Sequence, residues 1–181
     1  MIFGMTTFTF VHVAISLVGI LSGVVVAFGL LAGKRFDGWT ALFLVTTVLT
    51  SVTGFFFPFE GFKPSYVVGA ISLVVLALAI LARYRRHFAG GWRRTYVISA
   101  VIALYLNVFV LVVQLFEKVP TLKAMAPTQS EPPFVVTQVV VMAIFVGLGI
   151  AAPKRFREPT VQVRDLRPTR AARLAALPES P

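Results

Sequence analysis

The sequence predicts an all-α fold, a polytopic transmembrane helix bundle with five spans. Its 181 residues are 57% hydrophobic and only 13% charged, and the mean hydropathy is +0.87. These values lie outside the range of soluble globular domains. The apolar residues also fall into five runs without charge, each of 17 to 26 residues. A helix needs about 20 such residues to cross the hydrocarbon core of a membrane.

The first span covers residues 8–33, which as a helix are roughly 39 Å long, more than a membrane requires. Ser16, Gly19, Gly23 and Ala27 recur at steps of three and four and therefore share one face. Small residues let another helix approach closely, so we expect Gly19, Gly23 and Ala27 to form a packing surface. His12 precedes Ser16 by four residues and lies on the same face.

The other spans follow from breaks in the apolar pattern. A basic turn containing Asp37 separates the first two runs, and Pro58 ends the second. A basic loop follows the third, and a loop with four prolines between Pro120 and Pro133 follows the fourth. The predicted spans are 39–57, 66–82, 96–116 and 134–151. They complete a membrane domain over 1–152, and we expect residues 153–181 to be a disordered, basic cytoplasmic tail.

The distribution of charge predicts the orientation. If the N-terminus lies outside, 14 of the 17 lysines and arginines fall on the inner side, as the positive-inside rule requires. The C-terminus is then cytoplasmic, and the net charge of +10 is accounted for by topology and by attraction to anionic lipids rather than to nucleic acid. The residues expected to contact anionic lipids are Arg83, Arg85, Arg86, Arg93, Arg94, Lys154, Arg155 and Arg157.

Polar side chains within the spans gather in the extracytoplasmic half. Such residues are costly in hydrocarbon and usually face the bundle interior or a cavity. One hypothesis is therefore a pocket open to the extracytoplasmic side. The alternative is ordinary helix packing, in which hydroxyls bond their own helix or a neighbour. The candidate pocket residues are His12, Ser16, Thr50, Ser72, Asn107, Gln114, Gln138 and, above the mouth, Glu131.

Definite catalytic and metal chemistry finds no support in the sequence. Cysteine is absent, and the second histidine, His87, lies in a loop on the opposite side of the membrane. The spans contain no Asp, Glu, Lys or Arg, which excludes the buried carboxylate relays of proton-driven transporters. We therefore expect no catalytic residue, no metal site and no cofactor, although a non-enzymatic role is favoured rather than established.

Three stretches carry a resemblance: GLLAGKRFDGWTALFLVTTVLTSVTGFFFPF, ALYLNVFVLVVQ and APTQSEPPF. They resemble segments of small polytopic bacterial inner-membrane proteins to which no activity is assigned. The resemblance covers Phe8 to about Arg157 and implies a multi-pass protein of the bacterial inner membrane. It implies no site residues.

The sequence leaves three functions open. The favoured one is an accessory or binding protein whose outer polar residues hold a small molecule or a partner helix. The partner is then another membrane protein or a second copy of this chain. The second is a small permease or channel for a neutral solute, which requires polar residues on the inner side as well. The third is a redox subunit associated with haem or quinone, which His12 alone supports weakly.

Overall fold

Six α-helices make up most of the computed structural model, which describes residues 6–57 and 64–156. The predicted all-helical fold is confirmed, since these ranges contain no strand. A π-helical turn, Leu81–Arg85, continues the third helix. The helices are α1 (Thr7–Leu31), α2 (Asp37–Gly54), α3 (Pro64–Ile80), α4 (Trp92–Lys118), α5 (Pro120–Met125) and α6 (Pro132–Arg155).

Local sequence explains where the helices begin and end. The Thr6 side chain caps α1 by accepting a bond from the Thr9 amide at 3.2 Å. Gly33 follows α1 with a φ of +67°, a conformation that glycine adopts without strain. Pro120 and Pro132 occupy the first turns of α5 and α6, where a missing amide hydrogen costs nothing.

Several boundaries differ from the predicted ones. Helix α4 begins at Trp92, four residues before the predicted start, so the basic loop is shorter than expected. Helix α6 continues through Pro153 to Arg155 and includes the first residues of the predicted tail. The Pro-rich connection contains the short helix α5, which the sequence did not predict. Residues 157–181, including Arg157, lie outside the described residues.

The helices form an up-and-down bundle. Helix α1 packs on α2, α2 on α3, α3 on α4, and α4 on α6, while α1 also contacts α4 and α6. We call the two ends of the bundle the His12 end and the Asp37 end. The core lies toward the Asp37 end, where its largest fully buried side chains include Phe43, Leu76 and Tyr96.

The small residues of α1 lie where neighbouring helices come closest. A Cβ atom on Gly23 would lie 2.6 Å from Leu104 Cδ1 and 2.8 Å from the Phe43 ring. Gly19 faces the hydroxyls of α2, and Ala27 is partly buried against the core. Gly23 therefore sets the distance at which α1, α2 and α4 meet.

Four helices in the described part of the chain are long and apolar enough to cross a membrane. They are α1, α3 with its π-helical turn (Tyr66–Arg85), α4 and α6. Large apolar side chains cover their outward faces, and the membrane-length window of α6 contains no buried residue. These features indicate a membrane protein. Helix α2 is not among the four, because its 18 residues include Asp37, five threonines and a serine.

Candidate functional site

His12 is held between α1 and α2 by a hydrogen bond that determines its tautomer. Its Nδ1 lies 2.8 Å from Thr53 Oγ1. The Thr53 hydroxyl donates its own proton to the Leu49 carbonyl at 2.7 Å. Because that proton is engaged, Thr53 accepts and His12 Nδ1–H donates, which leaves Nε2 as an unprotonated acceptor. No hydrogen-bond partner for Nε2 occurs among residues 6–57 and 64–156.

Ser16 and Thr50 extend this contact by one helical turn. The Ser16 hydroxyl donates to the His12 carbonyl at 2.8 Å and lies 3.4 Å from Thr50 Oγ1. The spacings of four residues on α1 and three on α2 bring these side chains face to face. We call His12, Ser16, Thr50 and Thr53 the His12 group. The edge of the Phe57 ring borders it, with its centroid 5.0 Å from that of the imidazole.

The other predicted pocket residues pair at different helix contacts. Ser72 accepts a bond from Ser51 at 3.1 Å between α3 and α2. Asn107 Nδ2 donates to Thr47 Oγ1 at 3.1 Å between α4 and α2. Gln138 Nε2 lies 3.3 Å from the carbonyl oxygen of Phe109, between α6 and α4. Its Oε1 is buried without a partner among the described residues.

Gln114 and Glu131 lie apart from all of these. Gln114 is exposed on the surface of α4. The Glu131 carboxylate accepts bonds from the Thr128 amide at 3.1 Å, the Thr128 hydroxyl at 2.9 Å and the Ser130 amide at 3.1 Å. Desolvation raises the pKa of the Glu131 carboxyl, but these hydrogen bonds outweigh it and hold the pKa below its ordinary value.

The structure thus brings three of the eight candidate residues together and distributes the others. His12, Ser16 and Thr50 meet, whereas Ser72, Asn107 and Gln138 join other helix pairs. Glu131 closes a loop, and Gln114 is exposed on the surface of α4. Thr53 and Phe57 complete the surroundings of His12. The three-residue step from Thr50 to Thr53 was the sequence feature that could have identified Thr53.

A second cluster lies at the opposite end of the bundle. The Arg83 side chain, in the π-helical turn, is only 7% exposed and forms an ion pair with Asp37, whose side chain is 67% exposed. Arg35 Nε lies 3.8 Å from the same carboxylate oxygen. One carboxylate therefore serves two guanidinium groups. We call Lys34, Arg35, Asp37 and Arg83 the Asp37 cluster.

Aromatic rings and a small cavity complete this cluster. The guanidinium carbons of Arg35 and Arg83 lie 4.7 and 5.8 Å from the centre of the Phe88 ring, within cation–π range. Arg83 is also 5.6 Å from the centre of the Tyr96 ring. Beside them is a cavity of about 10 Å³, enough for one water molecule. Its lining residues are Val26, Leu30, Lys34, Arg35, Phe36, Thr40, Arg83, Tyr96 and Phe156.

The predicted lipid-contact residues take different positions. Arg83 is buried, so its guanidinium is turned away from the bundle surface. Arg93 is partly buried and donates to the Phe156 carbonyl at 2.7 Å, which ties α4 to the end of α6. Arg157 lies outside the described ranges. The side chains of Arg85, Arg86, Arg94, Lys154 and Arg155 are exposed.

Within the described part of the chain, no three residues of the types His, Cys, Asp or Glu lie close enough to hold a metal ion. Comparison with protein-family models, curated proteins and solved structures gave no match to this chain.

Proposed function

We propose that this chain is a non-catalytic binding protein of the bacterial inner membrane, which holds its ligand at the His12 group. The observation that carries the proposal is the hydrogen bond between His12 Nδ1 and Thr53 Oγ1, from which we infer the tautomer of His12. Thr53 engages Nδ1–H, so Nε2 presents a lone pair with no partner among the described residues. A buried or half-buried acceptor of this kind favours a ligand that donates a hydrogen bond. A small molecule with a hydroxyl or N–H group meets that requirement, and so does a polar side chain of a partner helix.

We further propose that α2 is a fifth span. Helix α2 packs against α1 and α3, and its hydroxyls are engaged by His12, Ser72 and Asn107. A helix with polar groups satisfied by its neighbours crosses a membrane without a fully apolar surface. With the N-terminus outside and the C-terminus cytoplasmic, the His12 group lies in the outer half. The exposed basic residues then face the anionic lipids of the inner leaflet.

Native mass spectrometry of the purified protein tests the binding role. Wild-type protein is compared with the variants His12→Ala and Ser22→Ala. Ser22 is the matched control, because its buried hydroxyl bonds only the carbonyls of Val18 and Gly19 on its own helix. We expect a bound species in the wild type and in Ser22→Ala that is lost from His12→Ala.

Two outcomes would contradict the proposal. Equal occupancy in all three proteins would show that the ligand does not depend on His12. A Soret band in the absorption spectrum that disappears in His12→Ala would instead establish the redox alternative. Reporter fusions test the orientation independently, since a reporter at residue 181 should be active only in the cytoplasm.

A further inference from the structure

We infer that the Asp37 cluster binds an oxyanion of the phosphate class, with one oxygen in the cavity beside Arg83. This site is separate from the His12 group and lies at the other end of the bundle. Four kinds of observation support it: the balance of charge, the burial of Arg83, the polar lining of the cavity and the direction of α2.

The charge of the cluster is unbalanced. Lys34, Arg35 and Arg83 supply three positive charges, and Asp37 supplies one negative charge. Asp37 is largely exposed, so water weakens its compensation of the guanidinium behind it. A phosphate dianion would neutralise the remaining two positive charges, and the singly charged phosphodiester of a lipid headgroup would neutralise one of them. Phosphate groups match guanidinium donors in both charge and geometry.

The burial of Arg83 fixes the position of one of these positive charges. Its side chain is 7% exposed, and Phe88 and Tyr96 contact the guanidinium. A guanidinium has five N–H donors in a rigid fork. One of those of Arg83 donates to Asp37, and the hydroxyls of Tyr84 and Tyr96 also interact with the guanidinium. A charge held in place by rings and an ion pair loses little conformational entropy when an anion binds.

The cavity provides room for one oxygen atom. Its volume of about 10 Å³ matches one water molecule, and the buried hydroxyl residues Thr40 and Tyr96 line it beside Arg83. Lys34 and Arg35 lie at its rim and are exposed. A phosphate group would therefore place one oxygen in the cavity and its others against these two cations.

Helix α2 begins at the same corner. Its N-terminus follows Phe36, which offers no side-chain cap to the first amides of the helix. Helix N-termini carry partial positive charge and attract anions. Asp37 in the first turn interacts with this charge but does not exclude a second anion. The helix orientation therefore reinforces the three cations.

Two sources of phosphate fit this site. An inner-leaflet lipid can present a headgroup phosphate, and a free phosphate ion can enter from the cytoplasm. Binding is measured for purified, full-length protein with phosphatidylglycerol, with phosphatidylcholine and with inorganic phosphate as a competitor. Competition by inorganic phosphate at the concentration at which the lipid binds identifies a soluble source. Its failure to compete identifies the lipid.

Two double variants with equal loss of charge test the location. Lys34→Gln with Arg35→Gln removes two cations from the cavity rim and leaves the buried ion pair intact. Lys118→Gln with Lys123→Gln removes two exposed cations at the His12 end, which do not line the cavity. We expect phosphatidylglycerol to bind about 25-fold more weakly to the first and within about twofold of wild type to the second, at about fivefold for each rim cation.

Circular dichroism establishes that both double variants keep the wild-type helix content. Equal weakening in the two would show that binding follows net charge alone, and would overturn the site. Unchanged affinity in the rim variant, or a wild type that binds neither phosphatidylglycerol nor phosphate, would also overturn it.

Discussion

Substitution of Gly23 by alanine tests whether the close approach of α1, α2 and α4 holds the bundle together. The added methyl group would lie 2.8 Å from the Phe43 ring and 2.6 Å from Leu104, where ordinary contact begins at about 3.4 Å. The ring must therefore retreat by about 0.6 Å and the leucine methyl by about 0.8 Å. Phe43 is 1% exposed, so its ring lies among other side chains of the core and can retreat only against them.

Two opposing effects set the size of the change. Overpacking of a tightly packed interior costs about 1–3 kcal/mol. Replacing glycine by alanine within a helix stabilises the fold by about 0.5–1 kcal/mol, because alanine loses less conformational entropy on folding. The steric cost is the larger, and we expect Gly23→Ala to lower the free energy of unfolding by about 1–2 kcal/mol.

Gly147→Ala is the matched control, because apart from its own stretch of α6 no described residue has an atom within 4 Å of the position of a Cβ at Gly147. That variant should gain about 0.5–1 kcal/mol from helix propensity alone. Unfolding is followed by circular dichroism in mixed micelles with an increasing fraction of SDS. If Gly23→Ala were as stable as wild type, or as stable as Gly147→Ala, the inferred close contact would be refuted.

Three further predictions concern polar groups. Asp37→Asn should lower the free energy of unfolding by about 1.5 kcal/mol, because the buried Arg83 loses its charged acceptor; an unchanged unfolding curve would contradict this. Asn107→Ala and Thr47→Ala should show a coupling of about 0.6 kcal/mol in a double-mutant cycle, and strictly additive effects would show that their bond adds nothing. Because the pKa of Glu131 is lowered in the folded protein, its carboxylate stabilises the loop above the ordinary value of 4.5, and this stabilisation is lost as the pH falls through the native pKa. Hydrogen exchange should therefore show a loop that is protected at pH 5 and loosens in acid, whereas Glu131→Gln should show weaker protection without an acid transition.

The helical fold could be predicted because hydropathy and proline positions are local properties of the chain. Hydropathy located the spans that became α1, α3, α4 and α6, and the small residues of α1 lie at a close helix contact. Boundaries were less accurate. The predicted fourth span begins at Tyr96, because Arg93 and Arg94 interrupt the apolar pattern, but charged residues at a membrane surface can still be helical. The predicted membrane domain ends before Pro153, but α6 continues through that proline to Arg155.

The partners of the polar residues could not be predicted in the same way. His12 bonds Thr53, which is 41 residues away, and Arg83 bonds Asp37, which is 46 residues away. Such pairs depend on the rotation of each helix about its axis, and small errors in rotation exchange one neighbour for the next. Charge counting placed Arg83 at the surface because it followed an apolar run, and the composition of the run does not reveal that Asp37 lies within reach.

The hydrogen bonds divide the helices into two arms. One arm consists of α1, α2 and α3, and the other of α4, α5 and α6. The bond from Asn107 to Thr47 joins the two arms. Between that bond and the His12 end, no other hydrogen bond between described residues joins them. At the other end, the cation–π contact of Arg83 with Tyr96 of α4 connects the arms, and Arg35 contacts Phe88 in the loop between them. The polar contacts between the two arms therefore lie toward the Asp37 end. Separation of the arms at the His12 end would therefore break apolar contacts but no hydrogen bond between described residues.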